Sequence, residues 1–114
     1  MARTSNECEK DVIRELEFAG YRVYKRGWPD LIAVDKETDE VRFIEVKPVT
    51  KKLKKYQKIV KDIFGMVGLK YEVFYVERIG NRVIVHINEK PDIYKKHGPP
   101  TKKEYAKRLK ELEL

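Results

Sequence analysis

Cysteine and histidine are scarce in this chain, which has one cysteine, Cys8, and two histidines, His86 and His97. A single thiol forms no internal disulfide, and two histidines without metal-ligand spacing do not make a zinc module. No apolar run approaches the roughly 20 residues of a membrane span, and the N-terminus has no signal-peptide hydrophobic segment. We therefore expect a cytoplasmic protein without a membrane partner.

Acidic residues are outnumbered, with 19 Asp and Glu against 26 Lys and Arg, so the net charge is +7. The segment Lys47–Lys61 holds seven lysines and no acid, and Lys95–Lys110 holds seven basic residues against Glu104 alone. Clustered positive charge is typical of phosphate binding, although an acidic partner or an anionic membrane attracts the same charge. The charged fraction of 39% with a single glutamine also favours a thermophile.

A length of 114 residues predicts one domain over residues 1–114, with a core at about 5–88 and a basic C-terminal helix at about 101–113. Helical spacing predicts a first helix over Ser5–Ala19, ended by Gly20. Short runs of β-branched and aromatic residues predict five strands. They are Tyr21–Tyr24, Leu31–Val34, Val41–Val46, Tyr71–Val76 and Val83–Ile87.

A second amphipathic helix is predicted from Thr50 to about Met66, between the third and fourth strands. Its apolar positions are Leu53, Tyr56, Val60, Ile63, Phe64 and Val67. Thr101 and Glu104 have capping-box spacing at the start of a third helix. That helix has an apolar stripe (Tyr105, Leu109 and Leu112) which fits its own sheet or a second subunit. The order α-β-β-β-α-β-β-α predicts an α/β fold with a mixed sheet flanked by helices.

Two acidic residues and a lysine are predicted to converge on the second and third strands. Residues two apart on a strand share a face, so Glu45 and Lys47 project together. If Lys36–Asp39 is the loop of a hairpin, Asp35 lies opposite Glu40. Counting outward then places Asp30 opposite Glu45 at the open end of the hairpin.

The chemistry of this trio favours phosphodiester hydrolysis. Two close carboxylates repel each other unless a hard divalent cation such as Mg²⁺ takes both as ligands. Such a cation lowers the pKa of a bound water and neutralises charge on a phosphate, while a lysine orients the water or stabilises anionic charge. Considered alone, Asp30 is typical of a turn residue after a proline, and Glu45 with Lys47 is typical of a surface ion pair.

The segments Gly27–Ile32 and Phe43–Lys47 resemble the PD-(D/E)xK nuclease superfamily, over about residues 7–77. Together with Gln57 they are most similar to virus-type replication-repair nuclease (VRR-NUC) domains and archaeal Holliday junction resolvases. The resemblance implies a restriction-endonuclease-like αβββαβ core, to which this chain adds a strand and a helix. The stretch Tyr21–Trp28 is shorter than the serine-bearing loop usual in the resolvases, which argues against strict junction specificity.

Three further site residues follow from this resemblance. The family places an acid of the first helix near the metal, and Glu9 lies at the edge of the buried stripe, whereas Glu7 groups with Asp11 and Arg14 on the solvent face. Glu9 is therefore favoured, with Glu7 as the alternative. Gln57 lies on the apolar side of its helix and, by resemblance, reaches the active-site lysine or the phosphate. The backbone carbonyl of Val46 is implied as a metal ligand.

The lysine face of the second helix is either a solvated surface or a surface that contacts nucleic acid. We expect it to contact nucleic acid, because the lysine run directly follows the catalytic strand. Trp28 either stacks on a base or covers the core. The expected nucleic-acid-binding residues are Lys51, Lys52, Lys54, Lys55, Lys58, Lys61, Arg26 and Trp28. The isolated His86 is expected to be structural.

The sequence thus predicts a Mg²⁺-dependent endonuclease, with Mn²⁺ as a substitute, that cleaves branched or single-strand-containing DNA. Catalytic roles are expected for Asp30, Glu45, Lys47, Glu9 and Gln57, and metal ligation for Asp30, Glu45, Val46 and Glu9. A Holliday junction resolvase, which acts as a homodimer, is one alternative. A non-catalytic binding module that retains the nuclease fold is another, and RNA remains open as a substrate.

Overall fold

The computed structural model of the protein describes residues 5–25, 30–95 and 100–112. The helices are α1 (Ser5–Phe18), α2 (Lys55–Met66), α3 (Lys102–Leu112) and a short 3-10 helix (Asp92–Tyr94). The strands are β1 (Tyr21–Lys25), β2 (Leu31–Asp35), β3 (Val41–Pro48), β4 (Tyr71–Ile79) and β5 (Arg82–Ile87). The predicted order of the main helices and strands is confirmed. None of the helices in these ranges is long and apolar enough to cross a membrane.

The five strands form one sheet in the order β1-β2-β3-β4-β5. Neighbouring strands are antiparallel except β3 and β4, which run parallel because α2 carries the chain back between them. In the β2–β3 hairpin the backbone N–H of Asp35 donates to the carbonyl of Glu40 over 2.9 Å, as the sequence predicts. The predicted mixed sheet flanked by helices is therefore confirmed.

The larger core lies between α1 and one face of the sheet. Its buried members are Cys8, Val12, Leu16, Leu31, Ala33, Ile44, Val46, Phe74 and Val76. Gly20, with a φ of 95°, ends α1 in a conformation that a side chain disfavours. One expectation is wrong: Asp11 does not lie on the solvent face with Glu7 and Arg14, because it is only 4% exposed.

Helix α2 begins at Lys55, later than the predicted Thr50. The N–H of Val49 still donates to the carbonyl of Val76 on β4 over 2.9 Å, and a turn follows in which the N–H of Lys51 donates to the carbonyl of Pro48 over 2.9 Å. Lys54 has an extended backbone, and its N–H donates to Oε1 of Gln57 over 2.8 Å. This side-chain cap marks the start of the helix after the turn that follows β3.

Only part of the apolar side of α2 packs on the sheet. Phe64 makes edge-on ring contacts with Phe43 and Tyr71, at centroid distances of 5.2 and 5.1 Å. Three positions predicted as apolar contacts are largely exposed, since Tyr56, Ile63 and Val67 have exposures of 52, 51 and 66%. The apolar arc of the helix is wider than the strip of sheet that it covers.

Helix α3 begins as predicted, with the N–H of Glu104 donating to Oγ1 of Thr101 and the N–H of Thr101 donating to Oε1 of Glu104. Its apolar stripe covers little, since Tyr105 and Leu109 are more than a third exposed. The helix is held instead by Arg108, which donates to both carboxylate oxygens of the buried Glu77 on β4.

Candidate active site

Asp30 and Glu45 meet at the open end of the β2–β3 hairpin. Leu31 pairs with Ile44, so the next pair outward places Asp30 opposite Glu45. Alternation along β3 turns Ile44 into the core under α1 and Glu45 to the other face of the sheet. Asp30 is half-buried and Glu45 is 4% exposed, so water is largely excluded from the inner carboxylate.

The Glu45 carboxylate accepts a hydrogen bond at each oxygen. Nε2 of Gln57 donates to Oε1 over 2.7 Å, and the hydroxyl of Tyr71 donates to Oε2 over 3.1 Å. Burial and then the neighbouring Asp30 carboxylate raise the pKa of Glu45 to about 7, against smaller opposing effects of Tyr71 and Lys47. Glu45 is thus a buried acid that changes protonation near neutral pH.

Asp30 is fixed by the backbone of β3. Its Oδ2 accepts a hydrogen bond from the N–H of Val46 over 2.9 Å. The N–H and C=O of one strand residue point to the same side of the strand. The carbonyl of Val46 therefore points to the side on which β2 lies, as its N–H does, and so toward Asp30. This is the carbonyl that the family resemblance implies as a metal ligand.

Lys47 shares the site face of β3 with Glu45 and is half-buried. Its positive charge lowers the pKa of Glu45, which indicates that the ammonium group lies near the Glu45 carboxylate. Its parallel partner in the neighbouring strand is Tyr75. The structure therefore brings Asp30, Glu45 and Lys47 together, as the hairpin count predicts.

Gln57 joins this group through the carboxylate of Glu45. Its amide nitrogen donates to Glu45, and its carbonyl oxygen accepts from the N–H of Lys54 at the start of α2. Both ends of the amide are therefore used, which explains a polar side chain only 4% exposed on this helix. Contact with Lys47 or the phosphate, which the resemblance implies, stays a prediction.

Glu9 is buried near the sheet, at 6% exposure, while Glu7 is exposed. The carboxylate of Glu9 lies 3.5 Å from the ammonium group of Lys25 on β1. Within the described ranges, no three carboxylate, histidine or cysteine side chains gather closely enough to hold a metal ion. The structure therefore places Glu9 in an ion pair, and its role as a third acid stays a prediction.

The donor set nevertheless fits a hard divalent cation. The negative charge of Asp30 contributes to raising the pKa of Glu45, because the two carboxylates repel each other. A bound cation would offset this repulsion. Two carboxylates and a backbone carbonyl supply oxygen ligands, the type that Mg²⁺ and Mn²⁺ prefer. Asp30, Glu45 and the Val46 carbonyl are therefore the residues that would hold the ion.

The predicted lysine surface lies on and before α2. Five of its lysines are exposed and Lys61 is half-buried. The exposed ones are Lys51, Lys52, Lys54, Lys55 and Lys58. Arg26 and Trp28, also predicted to contact nucleic acid, lie outside the described residues, as does Pro29 of the motif.

Tyr71 is the site residue that sequence reasoning missed. Tyr71 is the first residue of β4, where the sequence pattern predicts only an aromatic residue of a strand. Its contact with Glu45 depends on the parallel pairing of β3 with β4. The available signal is alternation, which places Tyr71 on the same face as Val73, the register partner of Glu45. His86, expected to be structural, lies 2.9 Å from Glu77 and outside the site.

Comparison with known proteins gives one match. The family model described as the VRR-NUC domain matches residues 1–78, which include α1, the β2–β3 hairpin, α2 and most of β4. No curated protein and no solved structure matches the chain. The matched range contains each of the residues gathered around Glu45.

Proposed function

We propose, from the premise that the chain belongs to the VRR-NUC domain family, that it hydrolyses phosphodiester bonds with a bound divalent cation, Mg²⁺ or in its place Mn²⁺. As a VRR-NUC protein the chain is a nuclease that acts on DNA. The observation that carries the metal-dependent chemistry is the pair of Asp30 and Glu45, two neighbouring carboxylates of which one is buried. A bound cation would lower the pKa of a water molecule and neutralise charge on the phosphate.

The protein side chains have separate tasks in this proposal. Asp30 and Glu45 bind the ion, with the Val46 carbonyl as a third oxygen. Lys47, whose charge acts on the Glu45 carboxylate, orients the attacking water and stabilises negative charge on the phosphate. Gln57 and Tyr71 keep Glu45 in one orientation through hydrogen bonds to its two oxygens. Glu9 is retained as the proposed acid of α1.

The proposed DNA contacts are the lysines on and before α2. Gln57 supports this assignment, because the residue that starts the lysine helix also hydrogen-bonds the buried carboxylate. A DNA strand bound along the lysines would therefore pass beside Asp30 and Glu45. Branched or flapped DNA is the proposed substrate, by similarity to replication and repair nucleases. A cytoplasmic location is also proposed.

The test is cleavage of four labelled DNA substrates: a single strand, a duplex, a flap and a four-way junction. Wild type, Glu45→Ala and Lys47→Ala are compared in Mg²⁺, Mn²⁺ and EDTA. Glu37→Ala is the matched control, because Glu37 is an exposed acid in the turn at the opposite end of the same hairpin. We expect wild type and Glu37→Ala to cleave in Mg²⁺ and in Mn²⁺ but not in EDTA, and we expect Glu45→Ala and Lys47→Ala to cleave in none of them. Calorimetric titration with Mn²⁺ gives a readout that does not depend on cleavage.

The cleavage pattern separates the alternatives. Cuts near the flap or in single strands support the replication and repair activity. Symmetric nicks confined to the four-way junction would instead identify a resolvase and imply a homodimer. Equal cleavage by wild type and Glu45→Ala would refute the site assignment. Binding without any cleavage would leave a non-catalytic DNA-binding module.

A further inference from the structure

Helix α3 is attached to the same face of the sheet as the candidate active site. Glu77 on β4 lies on that face, because alternation groups it with Val73, the register partner of Glu45. Arg108 of α3 donates to both oxygens of the Glu77 carboxylate, over 3.1 and 2.8 Å. The fold therefore holds α3 on the side of the sheet where the proposed cleavage takes place, opposite to the side that α1 covers.

The attachment point is close to the site on the scale of a DNA duplex. Val73 and Glu77 are four residues apart on β4, a step of about 13 Å along a strand. A duplex has one base pair for about every 3.4 Å of its length, so this step corresponds to about four base pairs. A duplex bound at Asp30 and Glu45 and running along the strands would therefore pass α3.

The side of α3 that faces away from the sheet is basic. A helix turns by about 100° per residue, so four of its lysines occupy an arc of about 140° opposite Arg108, the residue attached to the sheet. All four are exposed. These residues, which we call the lysine face of α3, are Lys102, Lys103, Lys107 and Lys110.

The acidic residues of α3 are engaged elsewhere. Glu104 forms the capping box with Thr101, and Glu111 lies 3.6 Å from Nη1 of Arg108. Across residues 5–25, 30–95 and 100–112, none of the four lysines forms a salt bridge or a side-chain hydrogen bond. The charges of the lysine face can therefore contact a negatively charged ligand.

The stability of α3 does not account for this arrangement. Lys102 and Lys103 lie in the first turn, where the helix dipole disfavours positive charge. The helix, whose residues are all described, has no buried residue, so its contact with the sheet relies on the ion pair of Arg108 with Glu77. The bidentate geometry of that pair fixes the orientation of the helix. The lysine face is therefore kept turned outward.

We infer that the lysine face of α3 binds the phosphate backbone of a duplex arm next to the position of cleavage. The inference rests on the proposed function, because it assumes that DNA crosses this face of the sheet. The ligand is the phosphodiester backbone, which lysine contacts as a point charge without reading the base sequence. Residues 79–114 lie outside the match to the VRR-NUC family model, so this contact is one that the chain adds to the family core.

The test is the salt dependence of binding to a labelled flap substrate, measured by fluorescence anisotropy in EDTA, where metal-dependent cleavage is blocked. The variants are Lys103→Gln/Lys107→Gln and a quadruple variant that also has Lys102→Gln and Lys110→Gln. Glutamine has nearly the same helix propensity as lysine. Each lost phosphate contact lowers the magnitude of the slope of log K against log salt by about 1. We expect a decrease of about 2 for the double variant and a larger decrease for the quadruple variant.

The matched control is Lys10→Gln/Lys36→Gln, which removes the same charge from two exposed lysines away from this face. Lys10 is on α1, which packs on the other side of the sheet, and Lys36 is in the turn at the opposite end of the β2–β3 hairpin from Asp30. The control should keep the wild-type slope. Circular dichroism and thermal melting check the fold of every variant.

A second measurement locates α3 on the DNA independently of affinity. An iron chelate attached at Lys107→Cys generates hydroxyl radicals that cut nearby DNA, and Glu45→Ala in the same protein prevents nuclease cleavage. Cys8 is fully buried and should not react with the chelate reagent. We expect cuts in the duplex arm of the flap with the chelate at Lys107→Cys and no cuts with the chelate at Lys10→Cys.

The inference is overturned if the double and quadruple variants keep the slope of the control, if the duplex arm is not cut from Lys107→Cys, or if wild type does not bind DNA. A wild-type protein that binds with the expected slopes and cleaves nothing in Mg²⁺ would refute the nuclease mechanism and leave the DNA contact of α3 standing. Metal-dependent cleavage with unchanged slopes would do the reverse. Failure of the two proposals is therefore distinguishable.

Discussion

Gln57 links the start of α2 to the buried carboxylate of Glu45 through one amide group. Its oxygen accepts from the N–H of Lys54 over 2.8 Å, and its nitrogen donates to Glu45 over 2.7 Å. Because both ends are engaged, the amide orientation is determined and the donor always faces the carboxylate. The position of the lysine helix and the orientation of Glu45 are therefore coupled.

Replacing this amide should weaken both metal binding and cleavage. Gln57→Met keeps a side chain of similar size and removes both hydrogen bonds, so Glu45 loses one of its two donors. Loss of such a partner of a metal ligand reduces affinity or activity by about 10- to 100-fold. Calorimetry with Mn²⁺ and cleavage rates measure the two effects. Lys58→Met, at the next and exposed position, is the control and should bind Mn²⁺ like wild type.

Tyr71→Phe tests the second donor to Glu45. The ring contact with Phe64 at 5.1 Å is kept, and the hydrogen bond of 3.1 Å to Oε2 is lost. One hydrogen bond contributes about 1 kcal/mol net, so we expect Mn²⁺ binding about fivefold weaker at neutral pH. Tyr24→Phe, at an exposed tyrosine of β1, should leave the affinity unchanged. Equal affinities for Tyr71→Phe and wild type would assign Tyr71 a packing role alone.

The raised pKa of Glu45 predicts how stability changes with pH. Burial and Asp30 raise that pKa from 4.5 to about 7 in the folded protein, so the folded state binds more protons than the unfolded chain in this window. The free energy of unfolding should therefore fall as pH rises from about 4.5 to above 7. Glu45→Gln removes this dependence and should be more stable than wild type at pH 8. Urea unfolding across this range measures it, and a wild-type pH profile for Glu45→Gln would contradict the assignment.

Metal binding should depend on the same protonation of Glu45, but the affinity for metal should rise with pH, whereas the stability falls. In the proposed mechanism the ion binds the ionised carboxylate, so binding at pH 6 should release a proton from Glu45. The affinity for Mn²⁺ should fall by about tenfold for each pH unit below 7. Calorimetry in buffers of different ionisation enthalpy counts the released protons, and a count of zero at pH 6 would exclude Glu45 as the titrating ligand.

Glu77 should stabilise the attachment of α3. Burial raises its pKa, but hydrogen bonds from Arg108, His86 and Tyr94 outweigh burial and leave the pKa below 4.5. Its stabilising effect is present above pH 4.5 and is lost as pH falls through the lowered pKa. Arg108→Met should reduce the free energy of unfolding by about 3 kcal/mol at pH 7, because it leaves a buried carboxylate without its cation.

Urea unfolding at pH 7 and in acid measures this effect, with Lys107→Met as the control at the preceding, exposed position of α3. The difference between Arg108→Met and wild type should shrink in acid, where Glu77 becomes protonated. A difference that stays constant between pH 7 and acid would mean that Arg108 acts through packing alone.

Local patterns in the sequence were enough for the order of elements, the register of the β2–β3 hairpin and the meeting of Asp30 with Glu45. These features depend on near neighbours in the chain: strand alternation sets the faces, and a four-residue turn sets which residues oppose each other. The capping box at Thr101 and Glu104 is predictable for the same reason.

Contacts between distant segments depended on the folded chain. Tyr71 reaches Glu45 only because β3 and β4 pair in parallel, and the ammonium of Lys90 reaches the carbonyl of Lys51 only because the segments after β3 and β5 share one apolar cluster. The late start of α2 has a similar cause, since the N–H of Val49 still bonds to Val76 on β4 and a turn from Pro48 to Lys51 follows before the helix can begin. Periodicity describes which side of an element is apolar, whereas the partner of that side is chosen by packing energy summed over the whole fold.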